Sequence, residues 1–232
     1  MRRTLLISGA SRGIGRAIAM RLAAEGHRLS LGVRAPERLA GTALEGSPQV
    51  LLHPYEATDP SSAEAWVADT IERFGAIDGL IHCAGVFSRT GLLFSAAEAA
   101  EPQRLWNVNL MGPWWLTRAA WPWLARSGEG RIITLVSMSG KRVKGSLAAY
   151  PVSKFALMAL CESMRQEGWE SGIRVTAICP SWVNTEMAAA VTAIPPLAMT
   201  QPEDLAAQVS LLLALPASAV PFELAISCQR EH

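Results

Sequence analysis

The sequence predicts a doubly wound α/β fold, with one parallel sheet of about seven strands and helices on both faces. Two observations lead there. Short apolar runs alternate with amphipathic segments of helix length from one end of the chain to the other. Most of the short runs are rich in Val, Ile or Leu, as strands buried on both faces are. Strands separated by helices join in parallel through right-handed crossovers, which puts the ligand crevice at their carboxyl ends.

In chain order, residues 4–8 read as the first strand and 14–25 as the first helix. A strand over 29–33 and a helix over 36–44 follow, then a strand over 50–53 and a helix over 60–74. Residues 79–83 form the fourth strand, and 103–126 an interrupted helical segment. The fifth strand, 132–136, precedes a helix over 152–170; the sixth, 175–179, precedes a helix over 202–215; residues 222–226 close the pattern. The least regular stretch, 180–202, carries Pro180, Pro195, Pro196 and Pro202 and few periodic apolar residues. In this architecture it is either a lid over the crevice or an ordinary surface loop.

The 232 residues suit one domain over 1–232, half of them hydrophobic and 18% charged. A net charge of +1 gives no basic field for nucleic acid and no patch for a membrane surface. The apolar run after Arg2 and Arg3 is broken by Ser8 and Gly9, too early for a leader or a spanning helix. Cys83, Cys161, Cys179 and Cys228 are widely spaced and read as reduced, mostly buried thiols of a cytoplasmic protein. His27, His53, His82 and His232 lack ligand spacing, so no metal is expected.

The first strand runs into Ser8-Gly9-Ala10-Ser11-Arg12-Gly13-Ile14-Gly15 and then a helix. Glycines let the backbone approach a phosphate, and the helix N-terminus offers it N–H groups and a positive dipole end. The absence of a Gly-Lys-Ser/Thr ending argues against a nucleoside-triphosphatase loop. An NAD site usually carries an acid at the end of the second strand, where this chain has Gly32-Val33-Arg34-Ala35-Pro36. Arg12 and Arg34 then read as a cation pair for a 2′-phosphate, with two solvated arginines as the plain alternative.

Ser137 ends the fifth strand; Tyr150 follows thirteen positions later, and Lys154 four beyond that. Tyr and Lys at i and i+4 share a helix face, so an ammonium can favour the phenolate. Bringing a phenol of pKa ~10 near neutrality takes roughly 4 kcal/mol. Ser137 can hydrogen-bond a carbonyl oxygen that accepts hydride; Ser139 is the rival but fits the spacing less well. Pro151 is tolerable in the first turn of a helix that begins close to Tyr150.

With the Gly-x-x-x-Gly-x-Gly turn upstream, these residues resemble the single-domain branch of the short-chain dehydrogenase/reductase family, up to about Met187. The resemblance implies a Rossmann-type fold and an oxidoreductase acting on a carbonyl or secondary alcohol, with NADP(H) favoured over NAD(H). Ser137, Tyr150 and Lys154 map one to one, Ser8 replaces a Thr, and Asn109, ahead of Leu110 and Gly112, matches the fourth catalytic position better than Asn107. Along the cofactor the resemblance places Gly9, Ser11, Arg12, Gly13, Ile14, Gly15 and Arg34. Further on it adds Glu56 and Ala57, where the family has Asp-Val, and Ala84 and Gly85, where His82 and Cys83 replace two asparagines. Pro180, Val183 and Thr185 lie in its nicotinamide stretch, with Ser181 in place of a Gly. Trp182, Met138 and Met187 suggest an apolar or aromatic substrate pocket.

Trp106, Trp114, Trp115, Trp121 and Trp123 lie on a segment that in the family meets a partner subunit, which implies a homo-oligomer, dimer or tetramer. The atypical ending after Val220 leaves the subunit number open. A non-catalytic nucleotide-sensing or scaffold protein on the same fold is the alternative; such a protein would be expected to lose Tyr150 or Lys154.

Overall fold

The computed structural model describes residues 2–189 and 191–229; His232, one of the four scattered histidines, lies outside the described residues. Seven strands form one parallel sheet in the order β3-β2-β1-β4-β5-β6-β7. They are β1 (Thr4–Ser8), β2 (Arg28–Val33), β3 (Val50–Pro54), β4 (Gly79–His82), β5 (Arg131–Leu135), β6 (Arg174–Pro180) and β7 (Glu223–Ile226). The order reverses beside β1, whose neighbours are β2 and β4, and a crevice opens there at the strands' carboxyl ends.

The helices are α1 (Gly13–Ala24), α2 (Pro60–Phe74), α3 (Glu101–Trp106), α4 (Gly112–Arg126), α5 (Ala149–Gly168) and α6 (Pro202–Ala214). Alternate residues of β1 face opposite layers. Leu5 and Ile7 pack with Ile18 and Leu22 of α1 and Leu205 and Val209 of α6. Leu6 packs with Trp66 of α2, Leu116 and Leu124 of α4 and Leu157 of α5. Period-two alternation therefore gives each face of the sheet its own core. Trp66 is wholly buried and donates from Nε1 to Ser30 Oγ at 2.7 Å. Gly32 makes room for it, since a Cβ there would stand 2.6 Å from the indole.

Two sequence expectations need correction. The helix expected over 36–44 is a single 3₁₀ turn, Pro36–Leu39. Gly41 follows at φ +71, and Thr42 Oγ1 donates to the Leu39 carbonyl at 2.6 Å, so the chain turns away instead of propagating. α5 begins at Ala149, three residues ahead of the 152–170 range but close to Tyr150, as Pro151 in a first turn implied. The tryptophan cluster divides: Trp115, Trp121 and Trp123 pack against the core, whereas Trp106 and Trp114 are exposed. The interruption expected in 103–126 is a π turn, Asn107–Met111, between α3 and α4. Among the described residues no helix is long and apolar enough to cross a membrane.

Candidate active site

The crevice has two adjoining parts that share Ile14, Cys83, Gly85, Val86, Thr185 and Met187. The first, a cavity of about 160 Å³, runs along the glycine turn from Arg34 and Glu56 to Gly85. Its floor is backbone. Gly9, at φ +70, would drive a Cβ to 2.7 Å from the Ala84 nitrogen, and a Cβ on Gly15 would stand 2.4 Å from the Gly9 carbonyl. The Ser8 hydroxyl accepts from the Cys83 and Ala84 N–H groups, each at 3.2 Å, and so braces the turn where the family's asparagines are missing. The N-cap of α1, Arg12, makes no side-chain cap bond, and no acid lies in the first turn, so its leading N–H groups face the crevice uncapped.

Ser11, Gly13 and Ala57 line this part as well. Glu56 Oε1 accepts from the Thr58 N–H and hydroxyl, at 3.1 and 3.0 Å, so its carboxylate is engaged by its own turn. Arg12 reaches Glu186, with Nη1–Oε2 at 2.6 Å, and Arg38 reaches the other carboxylate oxygen at 3.5 Å. The Arg12 guanidinium holds the Glu186 carboxyl below the usual carboxylate range. Neither Glu186 nor Arg38 emerged from the sequence reading; the acid directly after Thr185 was the available signal.

The second part, of about 270 Å³, is lined by Ser137 and Tyr150. Phe87 packs edge-on to the Tyr150 ring at 4.9 Å between centroids. Ser137 has φ 154 and ψ 158, a region seldom entered by a residue with a Cβ, and is the only non-glycine with positive φ among the described residues. Its Oγ accepts from the Ser139 N–H at 3.0 Å, so the rival serine contributes its backbone to holding Ser137. Pro180, Trp182, Val183, Met138 and Met187 line this part too. Ser181 keeps a negative φ and donates its N–H to the Ile226 carbonyl at 2.8 Å, so this turn does not require the family's glycine.

Lys154 is buried, its Nζ 5.9 Å from the Tyr150 ring centre and donating to the Leu135 carbonyl at 2.9 Å. Burial lowers its pKa to about 8. Burial also pushes the Tyr150 phenol up to about 12, with the Ser137 side chain acting more weakly in the opposite direction. The expected perturbation combined the Lys154 cation with cofactor charge; in the protein alone, desolvation dominates. Asn109 is wholly buried in the π turn. Its Oδ1 accepts from the Val86 N–H at 2.8 Å, and its Nδ2 donates to the Val86 carbonyl and Ser153 Oγ, each at 3.0 Å. Asn107 instead bonds Gln103.

His82, beneath the turn, pairs Nε2 with Thr117 Oγ1 at 2.9 Å, and its Nδ1 has no partner. Burial drops its pKa to about 3. The loop over 180–202 is closed at its base by a Val183–Thr200 bridge, and it packs Ala188, Ile194 and Met199 against Cys228.

The short chain dehydrogenase family model matches residues 3–194. Agropine synthesis reductase from Rhizobium rhizogenes is 36% identical over 227 residues, covering 98% of this chain and 53% of that protein. The chain thus spans about half the length of the first curated relatives it matches. Acetoacetyl-CoA reductase from Allochromatium vinosum is 30% identical over 227 residues, 91% of each chain. Among solved structures, the alcohol dehydrogenase from the archaeon Thermococcus sibiricus complexed with 5-hydroxy-NADP has a TM-score of 0.86 and 29% identity, over 97% of this chain and 96% of that one. A short chain dehydrogenase from Burkholderia cenocepacia in complex with NADP has a TM-score of 0.83 and 25% identity, over 97% and 88%.

Proposed function

The chain belongs to the short-chain dehydrogenase/reductase family, and from that premise we propose that it is an NADP(H)-dependent reductase interconverting a carbonyl group and a secondary alcohol. The observation that carries the reading is that Ser137 and Tyr150 line one cavity together with the buried Lys154.

The first cavity fits a dinucleotide: its glycine floor admits a phosphate against the backbone, and uncapped N–H groups of α1 meet it there. Arg12 and Arg34 line the same cavity and would hold a 2′-phosphate, which supports NADP(H) over NAD(H). Bound, the cofactor supplies the hydride and, once oxidised, a positive charge. Ser137 donates a hydrogen bond to the carbonyl oxygen, and Tyr150 gives that oxygen its proton or removes it in the oxidative direction. A phenol held protonated by burial favours the donating role. Lys154 holds ribose hydroxyls and adds charge, while Asn109 fixes the Val86 wall.

Residues 1–232 act as one NAD(P)-binding unit with 180–202 as its substrate loop. Exposed Trp106, Trp114, Val152 and Phe155 on neighbouring helices support a homo-oligomer, and four free cysteines support a cytoplasmic location.

Tyr150→Phe is the test. Carbonyl reduction should fall by roughly 10²–10⁴-fold, while NADPH still raises the melting temperature. Wild-type rates in that variant would overturn the assignment.

A further inference from the structure

One carboxylate lies among the cations that the cofactor reading needs. Glu186 opens the 3₁₀ turn Glu186–Ala188 and lines the first cavity with Arg12 and Arg34. Its two oxygens meet guanidinium groups from separate elements. Arg12 of the glycine turn stands 2.6 Å from Oε2, and Arg38, in the turn after β2, stands 3.5 Å from Oε1. Glu56, the other acid lining this cavity among the described residues, accepts from Thr58 instead. Guanidinium forks take carboxylate and phosphate alike. A 2′-phosphate that comes to Arg12 therefore competes with Glu186, and the like charges of the two anions repel.

The same segment reaches both halves of the crevice. Thr185 and Met187 line both cavities, and a Cβ on Gly13 would stand 3.3 Å from Thr185 Cγ2. The base of the loop is fixed apart from this contact, by the Val183–Thr200 bridge and by Asn184 Nδ2, which donates to Gln201 Oε1 at 2.9 Å. Further on, Ala188 packs with Ile194, Met199 and Cys228. Between these fixed points, the Glu186 side chain is a charged tie from the loop to the glycine turn.

We infer, resting on the reading of the first cavity as an NADP(H) site, that Glu186 is a specificity-determining residue that stands in for the 2′-phosphate. Until a phosphate displaces it, the carboxylate occupies Arg12 and Arg38 and ties the turn that carries Met187 to the cofactor side. A dinucleotide with the phosphate breaks the tie and loosens the turn beside the substrate cavity; one without it leaves the tie closed. Both Arg12 and Glu186 are half-exposed, so each step is a severalfold effect, and salt weakens the contact.

The full chain would be titrated by calorimetry with adenosine 2′,5′-bisphosphate and adenosine 5′-monophosphate, which differ only in the 2′-phosphate. Glu186→Gln should tighten the bisphosphate about three- to fivefold and the monophosphate less than twofold. Glu37→Gln removes an exposed acid next to Arg38 that takes no part in the contact, and should move both by less than twofold. Hydrogen exchange reads the turn itself, at the Ala188 and Ala189 N–H groups that donate to the Thr185 and Glu186 carbonyls. In wild type the bisphosphate should speed this exchange about threefold and the monophosphate should not. In Glu186→Gln it should be fast from the start and unchanged by either ligand. Melting temperatures confirm that the variants fold. Equal or weaker binding of the bisphosphate by Glu186→Gln, a matching gain in Glu37→Gln, or exchange that the bisphosphate leaves unchanged in wild type overturns the proposal. Where the bisphosphate still binds more tightly than the monophosphate, that failure leaves the NADP(H) reading standing. No preference for the bisphosphate in either protein overturns both.

Discussion

The two halves of the crevice are built from different material. Along the glycine turn, the wall is main chain, and Gly9 and Gly15 shape it by what they lack. Around Ser137 and Tyr150 the wall is side chain, drawn from the stretches after β4, after β5 and after β6. A wall of backbone tolerates no added atom, because a main-chain neighbour cannot swing aside. A wall of side chains can be recut without disturbing the fold beneath it, which is how one scaffold serves many substrates.

The sharpest way to break this contrast is one methyl group at Gly15. Its Cβ would meet the Gly9 carbonyl at 2.4 Å, so Gly15→Ala should cost about 3 kcal/mol and remove stabilisation by NADPH. Thermal melting with and without NADPH reads both; an unchanged melting temperature would mean that the turn yields where the geometry says it cannot. The matching change on the other side, Trp182→Ala, removes a whole indole from a partly exposed position. It should lower the melting temperature by less than Gly15→Ala does and act chiefly on KM for carbonyl substrates.

His82 sits under the backbone half and adds a pH dependence. Its folded pKa is about 3 against an ordinary 6.5. Below 6.5 the unfolded chain takes up a proton that the folded one refuses, so stability falls as pH drops from 6.5 toward 3. Between pH 7 and pH 5 this amounts to about 2 kcal/mol. His82→Asn should flatten that stretch of a denaturant-midpoint profile; a profile as steep as wild type would put the acid sensitivity elsewhere. The smallest effect is electrostatic. Arg12→Ala should weaken NADPH roughly tenfold and NADH little, since a half-exposed guanidinium is screened and must also release Glu186. Titration by intrinsic fluorescence measures both, and equal losses would remove the basis for NADP(H) preference.

The same contrast explains what the sequence disclosed. The glycine turn is contiguous, and each residue type in it has a local reason, so residues 8–15 were legible without a structure. So were the strands, because burial on both faces leaves continuous apolar runs. Tyr150 and Lys154 were legible as a helical i, i+4 pair. Phe87, Arg142, Lys144 and Ile194 were not, since nothing in their own neighbourhoods marks them; only the folding together of distant loops gives them a shared cavity. The 36–44 segment misled because Pro-Glu-Arg-Leu reads as a helix start, while Gly41 and the Thr42 hydroxyl decide otherwise. The upward push of burial on the Tyr150 phenol was not legible for a related reason: spacing reveals that a cation is near, but not how dry the site is.

The π turn at Asn107–Met111 makes the helix a counted object. Each residue of an α-helix advances it by about 100°. The π turn takes up about one residue more than an α turn, so deleting one there would join α3 and α4 in nearly the same phase but remove the bulge that sets Asn109 on the Val86 backbone. Inserting one residue would instead rotate the two ends against each other through that angle and swing Leu116 and Leu124 out of the core. Substitutions can be absorbed along this segment one side chain at a time, but its length is fixed to the residue, as the phase of a gear is fixed by its number of teeth.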